Sequence, residues 1–156
     1  MYRRKHNQLE FFLAHPGGPF YAKKDLGSWD LPKGEVEPER ELFAEAQREF
    51  TEETNITPPG QRELYIELGT AQMSGGKTVH AWAFESDFEG AIVSNTFEME
   101  WPPHSGKKQS FPEMDRAEFF AYAEAKEKIN PKLAVFLDRL AEALGITLPA
   151  GHEQSL

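Results

Sequence analysis

Apolar positions along this chain change period several times, and each change marks an element. Leu9 to Ala14 is nearly all apolar, which predicts a strand, and His15 to Pro19 predicts a turn-rich loop. Ser28 to Lys33 leads into a loop at Gly34. From about Glu41 to Thr54 the period becomes helical, with Leu42, Phe43, Ala46 and Phe50 as the apolar stripe. Asn55 and then Pro58-Pro59-Gly60 stop that helix. Glu63 to Met73 and Thr78 to Glu85 read as strands, joined by Ser74-Gly75-Gly76-Lys77 in a hairpin. Thr96 to Trp101 is a further strand, Pro102 to Pro112 a polar loop with Lys107-Lys108, and Glu118 to Ala121 a short strand before a helix ending near Ile129. The last helix has Asn130 as its cap and Pro131 in its first turn. Leu133, Phe136, Leu137, Leu140 and Leu144 form its buried stripe, and Gly145 ends it.

Strands interspersed with helices predict the α/β class, as a layered α/β/α sandwich with a mixed β-sheet. The chain shows no internal repeat, low-complexity stretch or linker. With 156 residues of which 39% are hydrophobic, it suits one domain over residues 1–156 with one core.

Charge narrows the functional classes. Lys and Arg number 17 against 26 Asp and Glu, a net charge of −9, which argues against sequence-independent binding to nucleic acid. An acidic protein still binds a polyphosphate when a divalent metal inverts the local charge. There is no Cys, so disulfide and thiolate chemistry are excluded. No apolar run approaches the roughly 18 residues of a membrane span. Met1 to Lys5 is basic, but Leu9 to Leu13 is short and contains Glu10, so no signal-peptide core forms and the expected compartment is the cytoplasm.

The candidate chemistry lies on the acidic helix. At roughly 100° per residue, Glu45, Glu49, Glu52 and Glu53 fall within about a 100° arc. Glu49 and Glu53 lie beside Ala46 and Phe50, at the edge of the apolar stripe, whereas a merely solvated helix sets its acids opposite that stripe. Like charges at i,i+4 destabilise a bare helix by a few tenths of a kcal/mol per pair. Clustered half-buried carboxylates suit hard divalent cations, which take oxygen ligands. On spacing alone, a charged surface helix explains the pattern equally well.

The segment Gly34, Arg48-Glu49-Phe50-x-Glu52-Glu53 and Ile56 resembles the Nudix hydrolase signature: Gly, five residues, Glu, seven residues, Arg-Glu, an apolar residue, any residue, Glu-Glu, any residue, Gly, an apolar residue. A pattern of nine specified positions seldom arises by chance. Two positions depart from it: Arg40 takes the place of the first Glu, and Asn55 that of the last Gly. Asn is the next-best residue for a left-handed helix C-cap. Trp29-Asp30-Leu31-Pro32-Lys33-Gly34 resembles the lead-in of Nudix enzymes that cleave diadenosine polyphosphates and diphosphoinositols. His15 to Phe20, Asn95 to Pro103 and Phe111 to Arg116 are similar to a bacterial Nudix subgroup of predicted nucleoside triphosphate pyrophosphohydrolases. The likeness runs from about Tyr2 to Leu140. Relatives place an apolar strand before the Tyr-Arg-Arg segment, so the first strand is expected to be missing or truncated here.

The resemblance implies a fold and a set of roles. The Nudix fold is the same sandwich. The metal ligands would be Glu49 and Glu53, assisted by Glu52 and the carbonyl of Gly34, with Mg²⁺ or Mn²⁺ as the cation. Arg48 would orient the glutamates and Lys33 would contact phosphate. Family members often place the general base six residues before an aromatic of the last strand, and Glu113 stands six before Phe119. Glu98 and Glu100 compete for that role, though a strand sets both on one solvated face. His80 sits mid-strand, where a structural role is the commoner one. Trp29 and Trp101 either stack a nucleobase or pack in the core, and Trp29 is the substrate-binding candidate. The implied function is metal-dependent hydrolysis of a pyrophosphate linkage in a nucleoside-diphosphate-linked substrate, diadenosine polyphosphate first. The alternatives are a nucleoside triphosphate and a Nudix-like module that binds a nucleotide without hydrolysis. The base-stacking tyrosine of the eukaryotic diadenosine enzymes is Ala117 here.

Overall fold

A computed structural model describes residues 1–32 and 41–148. Lys33, Gly34 and Arg40 lie outside the described residues. In chain order the elements are β1 (Tyr2–Lys5), β2 (Gln8–Pro16), α1 (Leu42–Thr54), β3 (Tyr65–Gln72), β4 (Thr78–Phe84), β5 (Thr96–Glu100), β6 (Lys108–Pro112), β7 (Met114–Ala121), α2 (Tyr122–Lys128) and α3 (Ala134–Ala143).

β1, β2 and β7 form an antiparallel sheet with β2 in the middle. Leu9 and Phe11 to Ala14 are buried, and that nearly continuous apolar run explains why β2 takes the central place. β3 and β4 pair as the expected hairpin, closed by a tight turn at Ser74–Gly76 and a Met73 N–H to Lys77 carbonyl bond of 2.7 Å. A parallel bridge between Tyr2 and Glu85 links β1 to the end of β4, so the sheet is mixed.

Side-chain alternation along β4 builds the layers. Phe84 meets Phe50 of α1 at 5.1 Å between ring centroids, and Trp82 meets Phe43 at 5.5 Å. Ala83, on the opposite face, joins Leu68 and the α3 residues Phe136, Leu137 and Leu140 in the larger core. Helices therefore cover both faces, which is the α/β/α sandwich. Leu133, Phe136, Leu137 and Leu140 are buried as expected, and Asn130 caps the preceding turn by accepting from the Lys132 N–H. No helix among the described residues is long and apolar enough to cross a membrane.

Two expectations are corrected. The stretch Pro102 to Pro112 is not loop throughout: Lys108–Pro112 is β6, paired antiparallel with β5. Its apolar signal is weak because Phe97, Met99 and Phe111 are only half-buried while Glu98, Glu100 and Ser110 face outward. β7 begins at Met114 rather than near Glu118, because pairing with the buried β2 extends it through the polar Asp115 and Arg116.

Candidate functional site

α1 is a well-terminated helix. The Glu41 carboxylate accepts from the Ala44 N–H at its start. Asn55 ends it in the left-handed conformation at φ 60°, donating its N–H to the Thr51 carbonyl at 2.7 Å. The Asn that replaces Gly thus does the same capping work.

The helix buries Glu53 beside its apolar stripe, as the spacing implied, and also buries Glu45, which the spacing did not indicate. Glu45 and Glu53 are 5% and 4% exposed, and the Glu49 and Glu52 side chains 15% and 36%. Arg48 draws three of them together: its guanidinium bonds Glu45 at 2.7 Å, Glu49 at 2.7 Å and Glu52 at 2.5 Å. The hydrogen bonds to Glu45 and Glu52 raise the Arg48 pKa further above its ordinary value. Burial raises the pKa of Glu49, and the nearby Glu52 and Glu113 carboxylates add to the rise while Arg48 opposes it.

Glu113 reaches this helix from far along the chain. It occupies the bend between β6 and β7 and is exposed. Its N–H donates to the Asn95 carbonyl at 2.8 Å, and the Asn95 N–H donates to the Glu52 carbonyl at 2.8 Å. At the same helix end the Val93 N–H donates to the Thr54 carbonyl at 3.2 Å. The charges of Glu52 and Glu113 both act on Glu49. Glu98 and Glu100 are exposed on β5, where Glu100 closes the hairpin tip by accepting from the Gly106 N–H.

Trp29 is not placed for a substrate. It is 1% exposed, its indole N–H donates to Asp25 at 2.7 Å, and its ring packs edge-on against Phe120 and His15. That overturns its reading as a base-stacking residue, because a wholly enclosed ring has no face left for a ligand. Its backbone bonds to the Lys128 and Asn130 backbones anchor the segment that leads toward residue 33. His80 lies flat against Trp82 at 4.4 Å and bonds Glu67 at 3.0 Å. Sequence reading noted Asn95 only as the start of a similar stretch and gave it no role, since that role is carried by backbone atoms that any residue supplies.

The donor set fits a hard divalent cation by its chemistry. It consists of clustered carboxylate oxygens, with burial first and neighbouring carboxylates second disfavouring ionisation of Glu49, and a single arginine bonded among them. Among the described residues no three acidic or histidine side chains already stand in a coordinating arrangement, and Arg48 holds the oxygens that a cation would take.

A family model for the NUDIX domain matches residues 3–140. The chain belongs to the Nudix family. It is accordingly an enzyme of the pyrophosphohydrolase kind. Among solved structures, a C. elegans Ap4A hydrolase resembles this Nudix chain with a TM-score of 0.62 at 21% identity, over 92% of this chain and 93% of the other. A Nudix hydrolase from M. smegmatis, RenU, is similar at 13% identity and a TM-score of 0.46, over 92% and 81%. No curated protein matches.

Proposed function

We propose that this Nudix enzyme cleaves a pyrophosphate linkage in a nucleoside-diphosphate-linked substrate, with diadenosine polyphosphate the first candidate. The observation that carries the reading is that Glu113, on the bend between β6 and β7, is tied through the Asn95 backbone to Glu52 of α1 and adds its charge to that felt by Glu49. The named activity of the C. elegans Ap4A hydrolase, whose fold this chain shares, supports the substrate choice. Ala117 supports the runner-up, a nucleoside triphosphate, because it is a half-buried alanine paired with Ala14 where the diadenosine enzymes are expected to carry a stacking tyrosine.

In this reading Glu49, Glu52 and Glu53 would hold magnesium, or manganese in its place, together with the Gly34 carbonyl. When bound, that cation supplies neutralising charge for the phosphate oxygens and favours ionisation of water. Arg48 keeps the glutamates aligned through its hydrogen bonds to Glu49 and Glu52. Lys33 contacts phosphate. A water molecule attacks phosphorus, its proton passes to the Glu113 carboxylate, and the anhydride oxygen leaves with one phosphoryl product.

A substrate panel tests this directly. Diadenosine tetraphosphate, ATP and a nucleotide sugar are incubated with magnesium or manganese, and the products are identified. Cleavage of diadenosine tetraphosphate to two nucleotides is expected. Tight nucleotide binding with no cleavage of any substrate under either metal would instead establish a binding module.

A further inference from the structure

We propose that His15, Gly17 and Asp115 form a bracket that sets the position of Glu113 relative to the α1 carboxylates. The inference rests on reading Glu113 as the general base. Three stretches far apart in sequence and outside the acidic helix, residues 15–20, 95–103 and 111–116, converge here. His15 is fully buried, a costly place for an imidazole unless both nitrogens are bonded. Its Nδ1 bonds the Asp115 carboxylate at 2.9 Å and its Nε2 bonds the Lys24 carbonyl at 2.7 Å. The β2–β7 register slips between His15 and Pro16, leaving Asp115 as the extra residue of a bulge. Bulges bend a strand and re-aim the side chains beside them.

The next residue completes the bracket. The Gly17 N–H donates to the Glu113 carbonyl at 2.9 Å. A Cβ on Gly17 would stand 2.0 Å from the Pro112 carbonyl oxygen, so only glycine fits. Gly18 follows at φ 92°, and a Cβ there would stand 2.8 Å from the Phe97 ring. Glu113 is thus gripped on both backbone sides, by Gly17 through its carbonyl and by Asn95 through its N–H. Asn95 in turn is bonded to Glu52. A carboxylate on an exposed bend needs such a grip, since catalysis depends on placement to a fraction of an ångström.

The test combines substitutions on the best substrate of the panel. Gly17→Ala forces the Pro112–Glu113 backbone to retreat by about an ångström, and a misplacement of that size costs about a hundredfold in rate. Asp115→Ala removes the Nδ1 partner of His15 and leaves that buried nitrogen unpaired, so its melting temperature is measured beside kcat. Both variants are expected to lower kcat with KM nearly unchanged. Neither is expected to lower it further in a Glu113→Gln background, because the group they position is already gone. Additive losses in the double variants would overturn the bracket while leaving Glu113 as the base. Wild-type kcat in both single variants would overturn it likewise. Full turnover in Glu113→Gln alone would remove the base reading and the bracket with it. Should Gly17→Ala fail to fold, Asp115→Ala decides, with melting temperature measured beside kcat: a purely structural role lowers the first and spares the second.

Discussion

Glu53→Gln separates metal holding from folding. α1 carries Glu45, Glu49, Glu52 and Glu53 against Arg48, so its local charge is three net negatives. Glu53 is 4% exposed, and glutamine preserves its volume while removing one charge. In the wild type, a divalent ion bound only to the native state at a hundredfold excess over its dissociation constant stabilises by about 2.7 kcal/mol. For a chain of this size each kcal/mol moves the melting temperature by roughly 2–4 °C, so magnesium is expected to raise it by about 5–11 °C. Glu53→Gln should lose most of that increment. Taking the difference with and without magnesium within each variant cancels any change in baseline stability. Turnover should fall at least about a hundredfold, equivalent to about 2.7 kcal/mol of barrier. The assay is differential scanning calorimetry with EDTA or magnesium, run beside initial rates. Near-normal turnover in Glu53→Gln under saturating magnesium refutes the assignment. An unchanged metal-dependent shift refutes its role as ligand.

Three further outcomes follow from the same geometry. Burial and neighbouring carboxylates raise the Glu49 pKa, so the folded state binds its proton more tightly than the unfolded state, and metal-free stability falls as pH rises past the ordinary glutamate value of 4.5. In EDTA, Glu49→Gln should therefore be more stable than wild type near neutral pH, with the difference shrinking toward pH 4; an unchanged difference across that range contradicts the assigned burial of the Glu49 charge. Trp29→Phe loses the bond to Asp25 and should cost about 1–2 kcal/mol by urea unfolding while leaving KM unchanged, whereas a KM rise without destabilisation would restore Trp29 to the substrate site. Asn55→Ala should cost about 1–2 kcal/mol because its φ is 60°, and Asn55→Gly should be neutral or stabilising; equal effects of the two would exclude the left-handed cap as the reason for Asn.

Local elements were legible wherever a short-range rule operates. The Asn55 cap, the β3–β4 hairpin and the α3 stripe each follow from neighbours within a few residues, and each is present. Even the burial of Glu49 and Glu53 was readable, because helical periodicity alone sets them beside Ala46 and Phe50. The misses have one cause. β6 has little apolar signal, since a two-stranded hairpin with one face in water needs few apolar residues, and its pairing with β5 is what makes it a strand. Trp29 carries the same amphipathic side chain whether it stacks a base or fills a core; only its enclosure by Phe120, His15 and Asp25 decides.

By itself, the sequence determined the chemistry available: an oxygen-donor cluster on one helix, its arginine, the Nudix spacing and the α/β/α class. The first three are properties of residues within one helix or one motif, where covalent spacing dictates geometry, and the class follows from the order of elements along the chain. Tertiary structure decided what meets that helix. Glu113 lies 60 residues or more beyond the acidic cluster, and reaches it through backbone bonds from Asn95 and Gly17. Hydrogen bonds between main-chain atoms leave no trace in residue identity except where, as at Gly17, the approach is too close for a side chain.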